Sequence, residues 1–206
     1  MKENRNEQEA FWRGQFGSEY IKRNQSNSLI KNNLYFFSHT LAKAHKIQSI
    51  IEYGANIGLN LCALRLLMPH LSFCAVEINH EAVTELKKFP WIESHHQSII
   101  DFVPHQQYDL VLVKGVLIHV HPNDLPYVYE KMYQSSNRYI LMAEYYNPTP
   151  IMIQYRGHSN KLFKRDFCGE FLNQYSDFHL VDYGFLYHRD HNFPQDDTTW
   201  FLLEKD

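Results

Sequence analysis

Residues 52–58 read Glu-Tyr-Gly-Ala-Asn-Ile-Gly and follow a short apolar run, which makes them a candidate ligand-binding loop. Gly54 permits a tight exit from a strand, and Gly58 permits close approach of the following helix to a sheet. Asn56 stands between them, and asparagine is one of the few residues besides glycine that readily adopt left-handed backbone. We therefore predict a strand-to-helix turn whose backbone can approach a ligand closely.

The loop differs from both common phosphate-binding sequences. A dinucleotide fingerprint GxGxxG counted from Gly54 needs glycine at the next two marked positions, which are Asn56 and Leu59 here. The GKS or GKT of a P-loop is also missing. Glu77 ends the next apolar run, at the distance where an acidic residue accepts hydrogen bonds from ribose hydroxyls. Together these residues indicate an adenosine ligand without a pyrophosphate and disfavour a nicotinamide-dependent oxidoreductase.

Apolar runs alternate with helical patterns through most of the chain. Near-continuous apolar strands separated by helices indicate a parallel sheet covered on both faces. Two final strands, 178–187 and 199–204, are joined by a polar loop too short for a crossover helix, so they should be antiparallel. The prediction is a Rossmann-like, doubly wound α/β fold with a mostly parallel seven-stranded sheet and a C-terminal antiparallel hairpin. The other strands are predicted at 48–53, 72–77, 108–115 and 138–146, and the helices at 29–46, 60–68, 80–88 and 123–135.

Length and composition restrict the class of protein. A chain of 206 residues fits one domain, and a net charge of -3 gives no electrostatic case for binding nucleic acid. The sequence has no transmembrane run, and its N-terminus is too polar for a secretory signal. Cys62, Cys74 and Cys168 are scattered without a CxxC pair, which is typical of reduced thiols in a cytoplasmic protein. The 13 histidines form neither HExxH nor HxxxH, so no metal site is expected.

The loop, Glu77 and the terminal hairpin together resemble the class I S-adenosylmethionine-dependent methyltransferases. In that family an acidic residue, one further residue and a glycine-rich turn meet the amino acid end of the cofactor. The resemblance implies an enzyme that binds S-adenosyl-L-methionine and releases S-adenosyl-L-homocysteine. The cofactor-binding residues implied for this region are Glu52, Gly54, Ala55, Asn56, Gly58, Glu77 and Ile78.

The resemblance extends to later segments and to the N-terminus. It implies that Asp101 contacts the adenine amino group while Ile100 or Phe102 lies beside the ring. It also implies that residues 114–116, Lys114, Gly115 and Val116, line the sulfonium side. Residues 1–28 are expected to form a lid over the cofactor, although an arm that packs on the domain surface is an alternative. The expected lid contacts are Trp12, Phe16 and Tyr20, with Arg23 meeting the methionine carboxylate.

A narrower group, the methyltransferases associated with pseudaminic acid biosynthesis in bacteria, is similar over almost the whole chain. The similarity implies O-methylation of a small acidic or sugar-derived metabolite. A catalytically silent cofactor-binding or scaffold protein with the same fold is the alternative. The oligomeric state is left open. The segments that carry the similarity are 11–24, 52–61, 113–120, 137–150, 155–167 and 182–205.

The methyl acceptor should bind at the ends of the fourth and fifth strands and in an acceptor-side insertion, residues 147–166. Methyl transfer is an in-line displacement, and an oxygen acceptor benefits from a general base. His119 and His158 are candidate bases, but His119 could equally open a helix or pack under the lid. Other catalytic candidates are Glu144 and Tyr146, and the residues expected to bind an anionic acceptor are Tyr146, Asn147, Tyr155, Arg156, Lys164 and Arg165. Lys164 and Arg165 could instead be a solvated helix start.

Overall fold

The computed structural model describes residues 6–23 and 27–206. Its helices are α1 (Glu7–Arg13), α2 (Gln15–Arg23), α3 (Asn27–Thr40), α4 (Leu59–Leu67), α5 (His80–Leu86), α6 (Leu125–Ser135) and α7 (Phe167–Gln174). Its strands are β1 (Ser49–Tyr53), β2 (Ser72–Glu77), β3 (Ile92–His96), β4 (Tyr108–Lys114), β5 (Ser136–Glu144), β6 (Ile151–Tyr155), β7 (His158–Lys164), β8 (Phe178–Leu186) and β9 (Thr198–Lys205). Two 3-10 turns, Leu117–His119 and Pro122–Asp124, lead from β4 to α6. Of the predicted lid segment, residues 1–5 and 24–26 lie outside the described residues.

A seven-stranded sheet in the order β3-β2-β1-β4-β5-β9-β8 forms the centre of the fold. The first five strands in this order run parallel, and β9 pairs antiparallel with both β5 and β8. The predicted fold class and the antiparallel terminal pair are therefore confirmed. Strand order reverses between β1 and β4, which opens a crevice at the carboxyl ends of these strands.

Helices cover both faces of this sheet, which explains why its central strands are apolar almost without interruption. On one face α3 and α4 bury Phe36, Phe37 and Leu64 in one core cluster. On the other face α6 and α7 bury Met132 and Phe171 in a second cluster. Among the described residues, no helix is both long and apolar enough to span a membrane.

Two elements differ from the strand pattern predicted by the sequence. Strand β3 reads Ile-Glu-Ser-His-His and lies at the sheet edge, where only Ile92 is buried, so its polar composition hid it. The insertion at 147–166 forms a separate antiparallel hairpin of β6 and β7, in which Tyr155 pairs with His158. The turn between them has φ 49° at Arg156 and φ 86° at Gly157, as a type I′ hairpin turn requires.

Candidate active site

A cavity of about 550 Å³ lies at the carboxyl ends of the parallel strands. It is lined by loops after β1, β2, β3 and β4, by α1 and α2, by α3, and by the loop between β8 and β9. Open α/β sheets bind their ligands in this place. The sequence-predicted residues that line it are Trp12, Tyr20, Gly54, Ala55, Asn56, Glu77, Ile78, Ile100, Lys114, Gly115, Val116, His119, Glu144 and Tyr155.

The loop after β1 uses left-handed backbone at alternate positions. The φ angles are 70° at Gly54, 49° at Asn56 and 81° at Gly58. Asn56 therefore has the conformation that its residue type predicts. A Cβ atom on Gly54 would lie 2.5 Å from Cγ2 of Val116, and one on Gly58 would lie 2.8 Å from Cδ2 of Leu86. Glycine is required at both positions by the protein's own packing as well as by φ.

Three consecutive backbone amides of this loop, those of residues 54–56, are engaged within the protein. The Gly54 and Ala55 amides donate to the Val76 carbonyl oxygen at 2.8 and 3.3 Å. The Asn56 amide donates to Oε2 of Glu77 at 2.8 Å. Phosphate-binding loops instead direct free amides at the ligand. The hydrogen bonding therefore argues against a pyrophosphate, in agreement with the residue types at positions 56 and 59.

Glu77 joins the loop after β1 to the one after β2. Its Oε1 accepts from the Asn79 amide at 2.7 Å, so each carboxylate oxygen holds one backbone amide. Burial raises the pKa of Glu77, while these amide bonds oppose the rise. A carboxylate oxygen has two lone-pair sites, so both oxygens can accept one further hydrogen bond from a ligand hydroxyl. Glu77 faces the cavity and is fixed in place for such contacts.

Glu52 is buried beneath the same loop, with 1% of its surface exposed. Asn60 Nδ2 donates to its Oε1 at 2.6 Å, whereas its Oε2 is buried without a hydrogen-bond partner. Burial raises the pKa of Glu52 to about 8, against the opposing effects of Asn60 and the Lys114 charge. Asn60 lines the cavity, and Glu52 lies behind it. An orphaned carboxylate oxygen of this kind indicates that a donor is missing from the site.

Lys114 ends β4 and is the only lysine or arginine among the described residues that line the cavity. Burial lowers its pKa, and the carboxyl groups of Glu52, Asp196 and Glu144 oppose that change. Its ammonium nitrogen lies 5.6 Å from the centroid of the Phe36 ring. Positive charge in the cavity is thus concentrated at one point between β1 and β4.

An apolar wall follows β2 and β3. Ile78, Ile99 and Ile100 line the cavity there, and Ile99 was not among the sequence-predicted residues. Phe102 is instead buried in the core, with its ring centroid 5.9 Å from that of Tyr53, and is not among the lining residues. Asp101 does not line the cavity either. Isoleucine side chains, rather than an aromatic ring and an aspartate, form this end of the site.

His119 is buried where the first 3-10 turn meets the cavity, with 9% of its surface exposed. Its ring lies between Trp12 and Tyr155, at centroid distances of 4.5 and 4.9 Å. Nδ1 is 2.7 Å from the Lys161 carbonyl oxygen, so Nδ1 carries the proton and donates it. Nε2 is then the basic nitrogen. Burial lowers the pKa of His119 to about 4, which keeps the ring neutral at physiological pH.

Glu144 also lines the cavity, but its carboxylate serves the backbone. Oε1 accepts from the Val116 and Leu117 amides at 2.9 and 3.0 Å, and Oε2 accepts from the Ile118 amide at 3.3 Å. Burial raises its pKa to about 7 despite these three bonds. Glu144 therefore shapes the turn that carries His119, and the geometry does not support its predicted catalytic role.

The tyrosine that faces the cavity after β5 is Tyr145, one residue before the predicted Tyr146. Tyr146 is 41% exposed and its ring is near that of Phe201, at a centroid distance of 6.1 Å. Consecutive residues of an extended chain point to opposite faces, which explains the difference. The Tyr145 hydroxyl donates to Oδ2 of Asp196 at 3.1 Å.

The predicted acceptor-side histidine and arginine at the hairpin turn lie outside the cavity. Arg156 and Gly157 are the central residues of the turn, which explains a glycine beside a basic residue without reference to a ligand. His158 is exposed and packs on Phe11 at a centroid distance of 5.0 Å. The structure thus leaves His119 as the predicted base that faces the cavity.

The other predicted substrate contacts are engaged elsewhere and do not line the cavity. Arg165 Nε donates to Oε1 of Glu170 at 2.7 Å, an ion pair at the start of α7. The Lys164 ammonium lies 5.2 Å from the centroid of the Tyr145 ring. Asn147 donates to the Thr149 carbonyl oxygen. Among the described residues, the basic cluster that was expected to bind an anionic acceptor therefore does not line the cavity.

Helices α1 and α2 cover the cavity as the predicted lid would. Trp12 and Tyr20 line the cavity, and burial raises the pKa of Tyr20 to about 12. Phe16 stacks on Phe11 at 4.0 Å and is not a lining residue. Arg23 is exposed, with its guanidinium 5.3 Å from the Phe16 centroid, so it does not meet a ligand inside the cavity.

Polar contacts hold α1 at both ends of the cavity. Asn79 Nδ2 donates to the Trp12 carbonyl oxygen at 3.1 Å, and the Ser98 hydroxyl donates to Glu9. On the other side, Gln8 Nε2 donates to the carbonyl oxygen of Asn160 in β7 at 2.8 Å. The lid is therefore tied to both the apolar wall and the β6–β7 hairpin.

The loop between β8 and β9 completes the site, and its Asp196, which is not among the sequence-predicted site residues, lines the cavity. Asn32 Nδ2 donates to the Pro194 carbonyl oxygen at 2.6 Å, and Gln195 Nε2 donates to the Asn32 carbonyl oxygen at 3.0 Å. These bonds hold the loop against α3. The polar composition of residues 188–197 does not indicate that the loop lies beside the cavity, because contacts with distant residues decide where the loop lies.

Comparisons with known proteins identify the fold. No family model matches the sequence, and no curated protein matches it. The structure is similar to 1,6-didemethyltoxoflavin N1-methyltransferase of Burkholderia thailandensis, with TM-score 0.72, 13% identity, and coverage of 100% of this chain and 92% of that one. For magnesium protoporphyrin IX methyltransferase of Synechocystis PCC 6803 with bound S-adenosylhomocysteine, the TM-score is 0.69, identity 12%, and coverage 96% and 97%. For a plantazolicin methyltransferase the TM-score is 0.67 and the identity 14%, with coverage of 97% of this chain and 94% of that one. The chain has the Rossmann-like fold of S-adenosylmethionine-dependent methyltransferases.

Proposed function

We propose that the protein is an S-adenosylmethionine-dependent methyltransferase that acts on a small molecule. One observation carries this proposal: Glu77 ends β2, faces the cavity and holds the loop after β1 through the Asn56 amide at 2.8 Å. This carboxylate could accept hydrogen bonds from ribose hydroxyls, while the Gly54, Ala55 and Asn56 amides are bonded to partners within the protein. The structural neighbours that were crystallised with S-adenosylhomocysteine have the same fold.

The cavity suits each part of this cofactor. The oxygens of Glu77 would accept from the two ribose hydroxyls. Ile78, Ile99 and Ile100 would pack on the adenine ring, so Ile100 rather than Phe102 is the predicted ring contact that lines the cavity. Lys114, the cation among the described lining residues, would bind the methionine carboxylate instead of the exposed Arg23.

Glu52 lies behind Asn60 and is not among the lining residues, so it would act on the amino group of the cofactor through its charge rather than by direct contact. Its Oε2 is buried without a donor, and its pKa is raised to about 8, so a cationic ligand would favour the ionised form. Lys114 and Glu52 influence each other's pKa, so each group is within reach of the other's charge. A neighbouring positive and negative group is the arrangement that a zwitterionic amino acid end requires.

S-adenosylmethionine supplies an electrophilic methyl group on a sulfonium centre. The protein would position the acceptor beside Trp12, Tyr155 and His119, and the His119 ring contacts each of the other two rings beside the cavity. Nε2 of His119 would take the proton of an acceptor hydroxyl, because Nδ1 is committed to the Lys161 carbonyl oxygen. Covered by α1 and α2, these aromatic rings would exclude water from the reacting groups.

For the acceptor we propose a small metabolite with a hydroxyl group, and neutral sugar-derived compounds of the nonulosonic acid pathway are the first candidates because of the sequence resemblance. An acidic group on the acceptor has less support. Arg156, Lys164 and Arg165 do not line the cavity, and Asp196 and Glu144 do. A neutral hydroxyl acceptor that donates to Asp196 or accepts from Tyr145 fits these side chains better.

Calorimetry with S-adenosylhomocysteine and with NAD tests the cofactor, and transfer of a labelled methyl group to small-molecule extracts tests the activity. We expect S-adenosylhomocysteine to bind and NAD not to bind. Binding of NAD alone would overturn the proposal. Binding of S-adenosylhomocysteine without transfer to any hydroxyl-bearing fraction would favour a catalytically silent cofactor-binding protein.

A further inference from the structure

Outside the cavity, one group of potential metal ligands occurs in the described part of the chain. The nearest ligand atoms of Cys74, Glu93 and His95 all lie within 4.8 Å of one another. His95 Nε2 is 3.0 Å from Oε1 of Glu93. Cys74 is buried, His95 is half-buried and Glu93 is exposed, so the group runs from the core to the surface at the β3 edge.

The register of the sheet brings these residues together. Cys74 in β2 pairs with Glu93 in β3. His95 follows Glu93 by two residues, and side chains two apart on a strand share a face. Ligands that come from two neighbouring strands leave no short spacing in the sequence, which is why the histidine pattern predicted no metal.

A fourth ligand approaches from the connection between β3 and β4. His105 Nε2 lies 3.7 Å from Oε1 of Glu93, and its ring centroid is 6.0 Å from that of His95. Ligand atoms of a tetrahedral zinc site lie roughly 3 to 4 Å apart, because zinc–ligand bonds are about 2.0 to 2.3 Å long. Glu93 already stands at such distances from both histidines.

Tyr108 lies beside the buried end of this group, where its hydroxyl contacts the Cys74 thiol. A thiol is a weak acceptor, whereas a metal-bound thiolate is a strong one. A metal ion on Cys74 would therefore strengthen the contact between Cys74 and the Tyr108 hydroxyl.

We propose that Cys74, Glu93, His95 and His105 bind one Zn²⁺ ion. One thiolate, one carboxylate and two imidazoles form a ligand set that suits this borderline-soft ion. On binding, the Cys74 thiol loses its proton to solvent, and the ion replaces the hydrogen bond between His95 and Glu93. All four positions are filled by protein, so the site is structural.

The ion would fasten the connection after β3 to the sheet. That connection begins with Ile99 and Ile100, which line the cavity, and ends near His105. The His95 ring also packs on Phe102 at a centroid distance of 5.1 Å. Bound zinc would therefore hold the apolar wall of the cavity in place from behind.

Titration of tag-free protein with Co²⁺ tests the site, because cobalt bound to a thiolate gives a charge-transfer absorption band in the near ultraviolet. We expect the band to saturate at one ion per chain and to disappear when Zn²⁺ is added. We also expect Zn²⁺ to raise the melting temperature. Neither measurement depends on methyl transfer, so the site can fail while the proposed function stands.

Variants identify the ligands. Cys74→Ser should abolish the band, and His95→Gln and His105→Gln, whose side chains are more accessible, should each weaken Co²⁺ binding by at least about tenfold. Cys62→Ser and His70→Gln are matched controls, because both residues precede β2 and neither belongs to the proposed site. Both variants should bind Co²⁺ as the native protein does. Circular dichroism shows whether Cys74→Ser has folded.

Absence of the band in the native protein would overturn the proposal. A band that survives in Cys74→Ser but disappears in Cys62→Ser would also overturn it. A zinc-induced rise in melting temperature that His95→Gln and His105→Gln share with the native protein would show that zinc binds elsewhere.

Discussion

The two ends of the cavity are built in different ways. The end proposed for adenosine is formed by loops after β1, β2 and β3, and its backbone is fixed by Glu77 and by left-handed residues. The end proposed for the acceptor is assembled from α1, the turn after β4, the end of β5, β6, and the loop between β8 and β9. Specificity for the cofactor is therefore encoded locally, whereas specificity for the acceptor depends on contacts between segments that are distant in sequence.

Replacement of His119 should have the largest effect, and it is confined to the acceptor end. His119→Gln removes the basic nitrogen, and we expect the methyl-transfer rate to fall by roughly 100- to 1000-fold while affinity for S-adenosylhomocysteine is retained. His158→Gln is the matched control, because His158 lies outside the cavity. Equal losses of rate in both variants would contradict the assignment of the base.

Replacement of Glu77 should act on the cofactor end alone. Glu77→Gln keeps the shape but loses the charge that accepts from ribose hydroxyls, and we expect affinity for S-adenosylhomocysteine to fall by roughly 100-fold. Calorimetry measures the change. Glu81→Gln, an exposed position in the first turn of α5, is the control. Native affinity in Glu77→Gln would remove this residue from the cofactor site.

Two buried groups, Glu52 and His119, should make the stability of the protein depend on pH in opposite directions. The pKa of Glu52 is raised from 4.5 to about 8, so the folded protein binds more protons than the unfolded chain, and stability is lost as pH rises through this window. The pKa of His119 is lowered from 6.5 to about 4, so stability is lost as pH falls through that window. Glu144, whose pKa is raised to about 7, acts in the same direction as Glu52.

Urea unfolding across pH measures this difference. Relative to the native protein, Glu52→Gln should gain roughly 2 kcal/mol between pH 5 and pH 8, and His119→Gln should gain a similar amount as pH falls from about 6.5 to 4.5. Both expected gains in unfolding free energy are smaller than the full pKa shifts would give, because nearby groups also titrate. Stability curves that run parallel for all three proteins would contradict the assigned pKa directions.

The smallest expected effect lies at the rim of the acceptor end. Tyr145→Phe removes the hydrogen bond to Asp196, and we expect acceptor KM to rise by roughly fivefold with little change in kcat. Tyr146→Phe is the control, since the Tyr146 side chain is exposed and points away from the cavity. Steady-state kinetics with a saturating cofactor concentration distinguishes the two. A larger rise of acceptor KM in Tyr146→Phe than in Tyr145→Phe would show that Tyr146, and not Tyr145, contacts the acceptor.

The sequence predicts the loop after β1 and the strands beside it because its signals there are local. Residue type alone indicates left-handed backbone at Asn56, and the apolar runs locate β1, β2 and β4. Strand β3 was not predicted because an edge strand buries few side chains, and its composition therefore stays polar. The local pattern therefore gives the central strands and the loop between them, but not the whole sheet.

The acceptor end was predicted only in part because side-chain direction and tertiary contacts decide it. A shift of one residue separates Tyr145 from Tyr146, and no periodicity marks which of them faces inward. Arg156 looked like a ligand contact, but its place in the chain is explained by the hairpin turn. Asp196 enters the site because α3 holds its loop, and that contact joins residues about 160 positions apart.

The contacts of α1 have a consequence for how cofactor and acceptor affect each other's affinity. Asn79 and Ser98 hold this helix beside the apolar wall, while Asn160 holds it beside the β6–β7 hairpin. Two ligands that both pack against one helix share the entropy lost when it is fixed, so the second to arrive binds more tightly. Cofactor and acceptor should therefore bind with positive cooperativity, and by linkage each should raise the affinity of the other by the same factor.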